Sequence, residues 1–541
     1  LRGGEGCGKQ IKKFPSRCHA AICRDDRGQW TVYPVNRSSG VLLNGERTLA
    51  AASLKAGDCI AVGGVEMYFF PSTESDEAKV ARRRVEEQRH RHTSQAGTLV
   101  LVNVCQALLF LQVFLTAQAE DRLPMGVAFG GLALLSWVLY GIYRAAQRSA
   151  YELESLVFLL ISIGAAVTAA YDPASLYKLL ITVVMGMVLF LAMSGVLRDL
   201  HLSIRARWPV AIAAGALLAF NVVLGERIFG AKNWISIGPL SFQPSELVKI
   251  AFILAGAATL DRLFAKRNLV FTILFSAYCV GCLALMSDFG TALIFFVAFL
   301  CIAFLRTGDL PSIAMMVAAA AFGCGIILRF KPYIADRFAA WRHAWDYAQD
   351  IGYQQTRTMS AMASGGLFGV GPKDGWLKYV GAANTDLVFG VVGEEFGFLL
   401  ALCCVAALVI PIVFTLRCAA AARSSFYTIL SCATAAMLVC QMALNVLGAV
   451  DLLPLTGVTF PFVSMGGSSM ISCWGLMAYL KAADTRQNAS FALRLSKLAP
   501  QQQEKKAAPA PKARPKAPQE GFFADRPDIP VDKIFGKEED K

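Results

Sequence analysis

The run from residue 384 to 414, NTDLVFGVVGEEFGFLLALCCVAALVIPIVF, decides how the rest of the chain is read. From Leu387 onward it is long and apolar enough to cross a bilayer, which puts Asp386 about where water gives way to hydrocarbon. An ionisable group is costly there, so function is its default reading, against the plainer one of a carboxylate capping a helix N-terminus. At about 100° per residue, Asp386, Gly390, Gly393 and Gly397 share one face of a helix expected over 386–416. Such a stripe of small residues admits a close neighbour.

Composition extends the membrane reading to most of the chain. Of 541 residues, 55% are hydrophobic and only 17% charged, with apolar runs near twenty residues recurring, so the chain is expected to be a polytopic α-helical membrane protein. Twelve spans are expected, at 97–117, 124–143, 154–170, 175–196, 208–225, 245–261, 268–286, 289–305, 311–329, 386–416, 425–449 and 465–480. With the N-terminus inside, Arg144, Arg148, Arg198, Arg205, Arg207, Arg262, Lys266, Arg267, Arg306, Arg417, Arg423 and Lys481 all fall in cytoplasmic connections. Both termini are then cytosolic. The net charge of +13 suits a membrane surface, and no nucleic-acid motif accompanies it. The fifteen cysteines follow no regular spacing and are read as small core residues rather than disulfides or zinc ligands. No cleavable signal peptide is expected, because the first apolar span begins near Gly97.

The connection carrying Asp386 breaks the charge rule. Placed outside, it and its edges still hold Arg329, Lys331, Arg337, Arg342, Arg357, Lys373 and Lys378. An anionic ligand headgroup would account for them, with Arg337, Arg342 and Arg357 as its candidate contacts. An amphipathic surface helix over FAAWRHAWDYAQD (338–350), anchored by Trp341 and Trp345, is the plainer alternative. Three further polar edges lie on the same side. Glu246 and Lys249 stand at helical spacing and read as a paired charge inside the bundle. Asp288 interrupts two spans. Residues 454–469, with Ser464 and Ser468, read as a re-entrant segment that needs protein around its backbone.

Ahead of the membrane, residues 1–71 alternate short apolar runs (HAAI, WTVYPV, MYFF) with SSG, NGE and AGD turns, the pattern of a small β-sandwich. Ser16-Arg17 with His19-Ala20, then Ser38-Ser39-Gly40, Asn44-Gly45 and Leu54 to Asp58 resemble the forkhead-associated (FHA) domain. That resemblance implies phosphothreonine recognition by Ser16, Arg17 and Ser39, with Arg2 at the place of an earlier arginine. Arg17 and His19 bracing the sandwich is the structural alternative. Residues 72–96, with ARRRVEEQRHRH, form a charged linker expected at anionic headgroups. Residues 486–541, rich in Ala, Pro and Lys, are expected to be a disordered cytosolic tail with a docking patch, FFADRPDIPVDKIFG.

A second resemblance rests on NWISIGPLSFQPSELVKI, DFGTA, GYQQ with SGGLFGVG, NTDLVFGVVGEEFG and LPLTGVTFPFVSMGGSS, in this order. Together they look like the SEDS family (shape, elongation, division and sporulation), to which RodA, FtsW and SpoVE belong. The usual core has ten spans, so 149–485 would be that core and 97–148 an added hairpin. The resemblance implies a peptidoglycan glycosyltransferase that polymerises lipid II with a class B penicillin-binding protein at the bacterial cytoplasmic membrane. It also implies a divalent metal, Mg or Mn, with ligands unknown. The family's catalytic Asp lands on Asp386, with Lys249, Glu246, Ser464 and Ser468 as further substrate-side candidates. Three departures weaken any second acid or metal-ligand role: Asn384 replaces His, Lys378 a loop carboxylate, and Met286-Ser287 a Gln-Pro.

Two other function classes fit a polar membrane cavity. A lipid II flippase or transporter is disfavoured by the lack of an internal repeat and by polar motifs crowding one edge rather than the midplane. A phosphothreonine-regulated membrane scaffold would leave Asp386 without a purpose.

Overall fold

The computed structural model describes residues 20–24, 29–34, 41–55, 57–62, 65–69, 94–146, 150–228, 231–237, 240–260, 266–307, 310–330, 332–419 and 425–483. The chain divides into two compact units, Leu1–Gly97 and Thr98–Lys541.

In the first unit, β-branched and aromatic residues supply strands β1 (Ala20–Arg24), β2 (Trp30–Pro34), β3 (Val41–Leu43), β4 (Glu46–Thr48), β5 (Ala52–Leu54), β6 (Cys59–Val62) and β7 (Val65–Tyr68). They pair as one sheet of order β1-β2-β5 and another of order β4-β3-β6-β7. Val32 and Leu54 from the first sheet meet Val41 and Ile60 from the second in a small core, and Trp30 packs edge-on to Phe69 at 5.5 Å. Asn44 and Gly45 turn β3 into β4 with φ of 52° and 88°, the left-handed pair a two-residue hairpin requires. The Asn44 amide donates to Asp58 Oδ1 at 3.0 Å while its oxygen accepts the Cys59 N–H at 2.7 Å. Asp58 also accepts the Lys55 N–H at 2.7 Å. That N–H and the Asn44 amide hold the Asp58 carboxyl below the usual range. Arg2, Ser16, Arg17 and Ser39 lie outside the described residues, as do 72–93 of the linker and the tail from 484.

The second unit is helical. Its elements are α1 (Gln95–Leu115), α2 (Arg122–Ala145), α3 (Glu152–Tyr171), α4 (Leu176–Val196), the short α5 (Leu200–Arg205), α6 (Arg207–Leu224) and a hairpin sheet of β8 (Glu226–Ile228), β9 (Ala231–Ile237) and β10 (Leu240–Phe242). There follow α7 (Pro244–Leu260), α8 (Lys266–Leu285), α9 (Phe289–Thr307), α10 (Leu310–Phe330), α11 (Pro332–Ala340), α12 (Tyr353–Gly365), α13 (Val388–Val391), α14 (Phe398–Ala419), α15 (Ser425–Ala449) and α16 (Gly467–Ala483). Every expected span is occupied by a helix. Among the described residues, seven helices are long and apolar enough by themselves to cross a membrane, with shorter apolar stretches at Val270–Leu285, Phe289–Leu305 and Leu310–Gly323.

Exposure separates lipid-facing from central helices. Leu101, Leu108 and Leu115 on α1 and Leu134 on α2 are exposed, which is affordable only against lipid, whereas almost all of α3 is buried. The small residues of α3 permit that central place: a Cβ on Gly164 would overlap the Val463 carbonyl of the segment before α16.

Contacts between connections sort them into two ends. At one end Lys373 meets Asp121 of the α1–α2 connection, the Lys232 N–H donates to the Met286 carbonyl, and Arg337 donates to the Leu455 carbonyl. At the other end the Tyr427 hydroxyl donates to the Leu197 carbonyl, and Lys481 donates to the Ala150 carbonyl. Successive membrane crossings demand this alternation.

Three expectations need correction. The span at 386–416 is not one helix: α13 is four residues long, a wide turn covers Val392–Phe396, and Gly397, with φ of 91°, breaks the run before α14. The amphipathic helix stops at Ala340, and residues 341–352 are turns in which the Trp341 indole N–H donates to the Leu452 carbonyl. Lys481 is no loop charge but lies buried within α16, 3.1 Å from Glu154 of α3, whose carboxylate also accepts the Tyr143 hydroxyl of α2 at 2.5 Å. An unpaired ammonium at that depth is too costly, so the pair forms.

Candidate functional site

Asp386 sits in a tight turn rather than on a helix. Ala382, with φ of 62°, presents its carbonyl to the N–H groups of Thr385 (3.2 Å), Asp386 (2.9 Å) and Leu387 (3.3 Å). The carbonyls of residues 384, 385 and 386 are then gripped one after another. Asn384 accepts the Met465 N–H at 3.0 Å, Thr385 accepts the Ser464 hydroxyl at 2.6 Å, and Asp386 accepts the Asn445 amide at 2.9 Å. Two of the donors belong to the segment between α15 and α16, and the third to α15 itself. Asn445 also donates to the Val458 carbonyl at 2.8 Å, and Ser464 accepts the Phe460 N–H at 2.8 Å. The expected re-entrant segment therefore has its backbone satisfied by protein, as its position requires.

The carboxylate faces a wall made for it. Gly457 has φ of 71°, and a Cβ there would lie 3.3 Å from Asp386 Oδ2 and 4.0 Å from Arg337 Nη1. Glycine thus provides both the left-handed turn and the room. Arg337, on α11, donates to the Leu455 carbonyl at 2.6 Å and so stands beside Asp386. Asp386 is half-buried, in the connection outside the spanning helices. Burial pushes its carboxyl up to about 6, against the lowering influence of the Thr385 hydroxyl and the Arg337 charge, with Asp288 adding to the rise.

Behind this turn, polar groups run into the bundle. Lys249 donates to Glu246 at 2.8 Å and to the Gln441 side chain at 3.0 Å. Gln441 in turn donates to Thr459, whose hydroxyl shares a hydrogen bond with Ser469 at 2.8 Å. Glu246 and Lys249 are thus bonded to each other and brace the segment from below. Asp288 accepts the side-chain amides of Asn233 (2.8 Å) and Gln243 (3.0 Å) and the Thr291 N–H (3.2 Å), which ties the hairpin to the start of α9. Ser468 lies 3.4 Å from the Gln243 N–H. Of the loop arginines, Arg337 alone is brought beside Asp386. Arg342 is exposed over Trp341, and Arg357 lies over Tyr353.

Sequence reading passed over Glu394 and Glu395. Both are buried in the Val392–Phe396 turn. Glu394 accepts the N–H groups of Trp376 (2.8 Å) and Leu377 (3.0 Å). The glycine stripe does admit a close neighbour, but the neighbour is α12 and the loop after it: Gly393 lies against Met362, and Gly397 against the backbone of Leu367 to Gly369. Two adjacent carboxylates inside an apolar run were the available signal, because neither can face lipid. Asn445 and Gln441, isolated amides in an apolar run, were a similar one.

Fold and site together define a polytopic membrane protein that presents one elevated carboxylate beside an arginine at one end of its bundle. Residues 146–489 match the model of the FtsW, RodA and SpoVE family, described as cell cycle proteins, and residues 12–63 match that of the FHA domain. The chain belongs to the FtsW/RodA/SpoVE family, and ten of the twelve expected spans fall within the matched region. It is 28% identical over 366 residues to a probable peptidoglycan glycosyltransferase FtsW of Saccharophagus degradans, covering 63% of this chain and 93% of that one. To the peptidoglycan glycosyltransferase RodA of Mycobacterium leprae it is 29% identical over 388 residues, covering 65% and 82%. A chain solved in work on how a peptidoglycan synthase complex coordinates polymerization and crosslinking matches with a TM-score of 0.53 at 26% identity, covering 62% of this chain and 97% of that one.

The elevated carboxyl has a stability signature. A folded-state value near 6, above the ordinary value of 3.8, stabilises the fold below the ordinary value and loses that contribution as pH rises through about 6. Asp386→Asn should therefore match the unsubstituted protein in thermal unfolding near pH 4 and equal or exceed it above pH 6. A variant markedly less stable at pH 7.5 would mean that the ionised carboxylate is a structural anchor.

Proposed function

We propose that Asp386 is the general base of a peptidoglycan glycosyltransferase. The protein is a glycosyltransferase of that kind, as its relatives are, and the observation that carries the residue assignment is the grip on the three consecutive carbonyls of 384–386. It fixes the carboxylate beside Arg337 while leaving it accessible. Chain growth requires a sugar hydroxyl of lipid II to attack an anomeric carbon whose leaving group is a lipid pyrophosphate. Asp386 takes the hydroxyl proton as the new bond forms, a contribution typically of about 10² to 10⁴ in rate. One base suffices for inversion, since the pyrophosphate leaves as an anion. Arg337 holds Asp386 ionised near neutral pH and offers positive charge toward the departing phosphate.

Orientation supports an outer-face site. The arginines of the opposite connections favour a cytosolic position for that end and, with it, for both termini. The polyprenyl tail then stays in the bilayer while the headgroup enters between α12, the α15–α16 segment and α9. A class B penicillin-binding protein is the proposed partner, by analogy with the synthase complex of the solved relative. A divalent ion is a separate matter. Among the described residues no three His, Cys, Asp or Glu side chains gather. A single carboxylate with an arginine beside it does not make a protein-held cage.

Purified protein should polymerise labelled lipid II, and Asp386→Asn should lower the rate at least about a hundredfold with unchanged membrane insertion. Transport of lipid II without polymerisation would favour a flippase, and full activity of Asp386→Asn would remove the base.

The FHA domain is proposed to read phosphothreonine through Arg2, Ser16, Arg17 and Ser39. Calorimetry of the full-length protein in detergent should then give binding of phosphothreonine peptides and none of their unmodified twins, because charge-assisted hydrogen bonds need the phosphate. Equal binding of both, or no effect of Arg17→Ala, would make the domain a docking sandwich.

A further inference from the structure

The hairpin of α1 and α2 lies outside the matched family region, yet its connection reaches the end of the bundle that carries Asp386. Asp121 pairs with Lys373 Nζ at 2.9 Å, and the two side chains are only 28% and 23% exposed. Lys373 is held by more than its ion pair. Its φ of 71° is unusual for a residue with a side chain, and its carbonyl receives the Lys378 ammonium. Lys378 thus has a definite task here. Three and four residues beyond Lys373, the N–H groups of Trp376 and Leu377 are bound by Glu394. The Leu377 side chain packs against Gly390 of α13, and α13 begins two residues after Asp386.

We propose that Asp121 and Lys373 are positioning residues for glycosyl transfer: the added hairpin pins the loop 373–377 onto the Glu394-Glu395 turn, and through that turn sets Asp386. The inference rests on Asp386 being the base. Without the ion pair, Lys373 relaxes from its left-handed conformation and the loop lifts from the two glutamates. The site then loses alignment rather than its binding groups. The loss should therefore fall on kcat and leave KM for lipid II in place.

The test compares Asp121→Asn, Lys373→Met, their double and the exchange Asp121→Lys with Lys373→Asp, the last being tolerable because Asp accepts a left-handed φ. Two readouts are taken on the full-length protein: initial polymerisation rates against lipid II concentration, and hydrogen exchange of the Trp376 and Leu377 amides. Each single variant should lower kcat about fivefold with KM within about twofold, and speed exchange at both amides. The double should be no worse than either single, and the exchange should restore both readouts to within about twofold. Singles with unchanged kcat and exchange, a double equal to the product of the singles, or an exchange that rescues nothing would overturn the proposal. If Asp386→Asn polymerises lipid II at the full rate, the base assignment falls. Amide exchange then decides the clamp alone: faster exchange in the singles that the swap restores keeps it, and unchanged exchange refutes it.

Discussion

The structure depends on a constraint that membrane burial makes severe: an irregular backbone at the mouth of a helical bundle must have its polar groups bonded by protein. Residues 384–386 expose three consecutive carbonyls, and each is met by a donor from α15 or the segment following it. The grip is reciprocal. Residues 455–466 are equally irregular, and Asn445, Ser464 and Gln441 satisfy them with the same side chains that hold, or lead toward, the Asp386 turn. Removing one segment would leave the other unsatisfied. That mutual dependence explains how a half-buried carboxylate keeps one orientation without a helix under it.

The buried charges follow the same logic. Lys249 with Glu246, Lys481 with Glu154, and Lys373 with Asp121 each join separate elements or brace a neighbouring one, and the first two are almost wholly removed from water. Pairs of this kind contribute little net stability against apolar replacements, but a missing partner is strongly unfavourable. They therefore select one arrangement of helices over others. Asp386 is the exception. Its nearest cation also serves the Leu455 carbonyl, and its carboxyl stays elevated, as suits a group that must exchange protons.

Much of this was legible in the residues. Helices have to be long and apolar to span, so α1 to α4, α6, α14 and α15 announce themselves. Asp386, as an acid at the end of an apolar run, stood out for the same reason. What the pattern concealed was the break after it: hydropathy treats 386–416 as one run, because Glu394 and Glu395 are outweighed by their neighbours. Only tertiary packing reveals that these two acids bond a loop some twenty residues back in the chain. FAAWRHAWDYAQD misled in the opposite sense. Its helical spacing is real, but the Trp341 indole finds a partner in the Leu452 carbonyl, and the chain turns to reach it. Lys481 read as a loop charge because a lysine near a helix end usually is one, and its partner Glu154 lies 327 residues away.

The central claim is that one elevated carboxylate, ionised when it works, takes the proton in glycan polymerisation. The most direct measurement is the rate of lipid II polymerisation by the purified protein between pH 5 and pH 8. A rate that rises through a single proton loss near pH 6 and levels above it, with that limb abolished in Asp386→Asn, is the predicted result. A rate independent of pH across that range, or the same limb in Asp386→Asn, would contradict it.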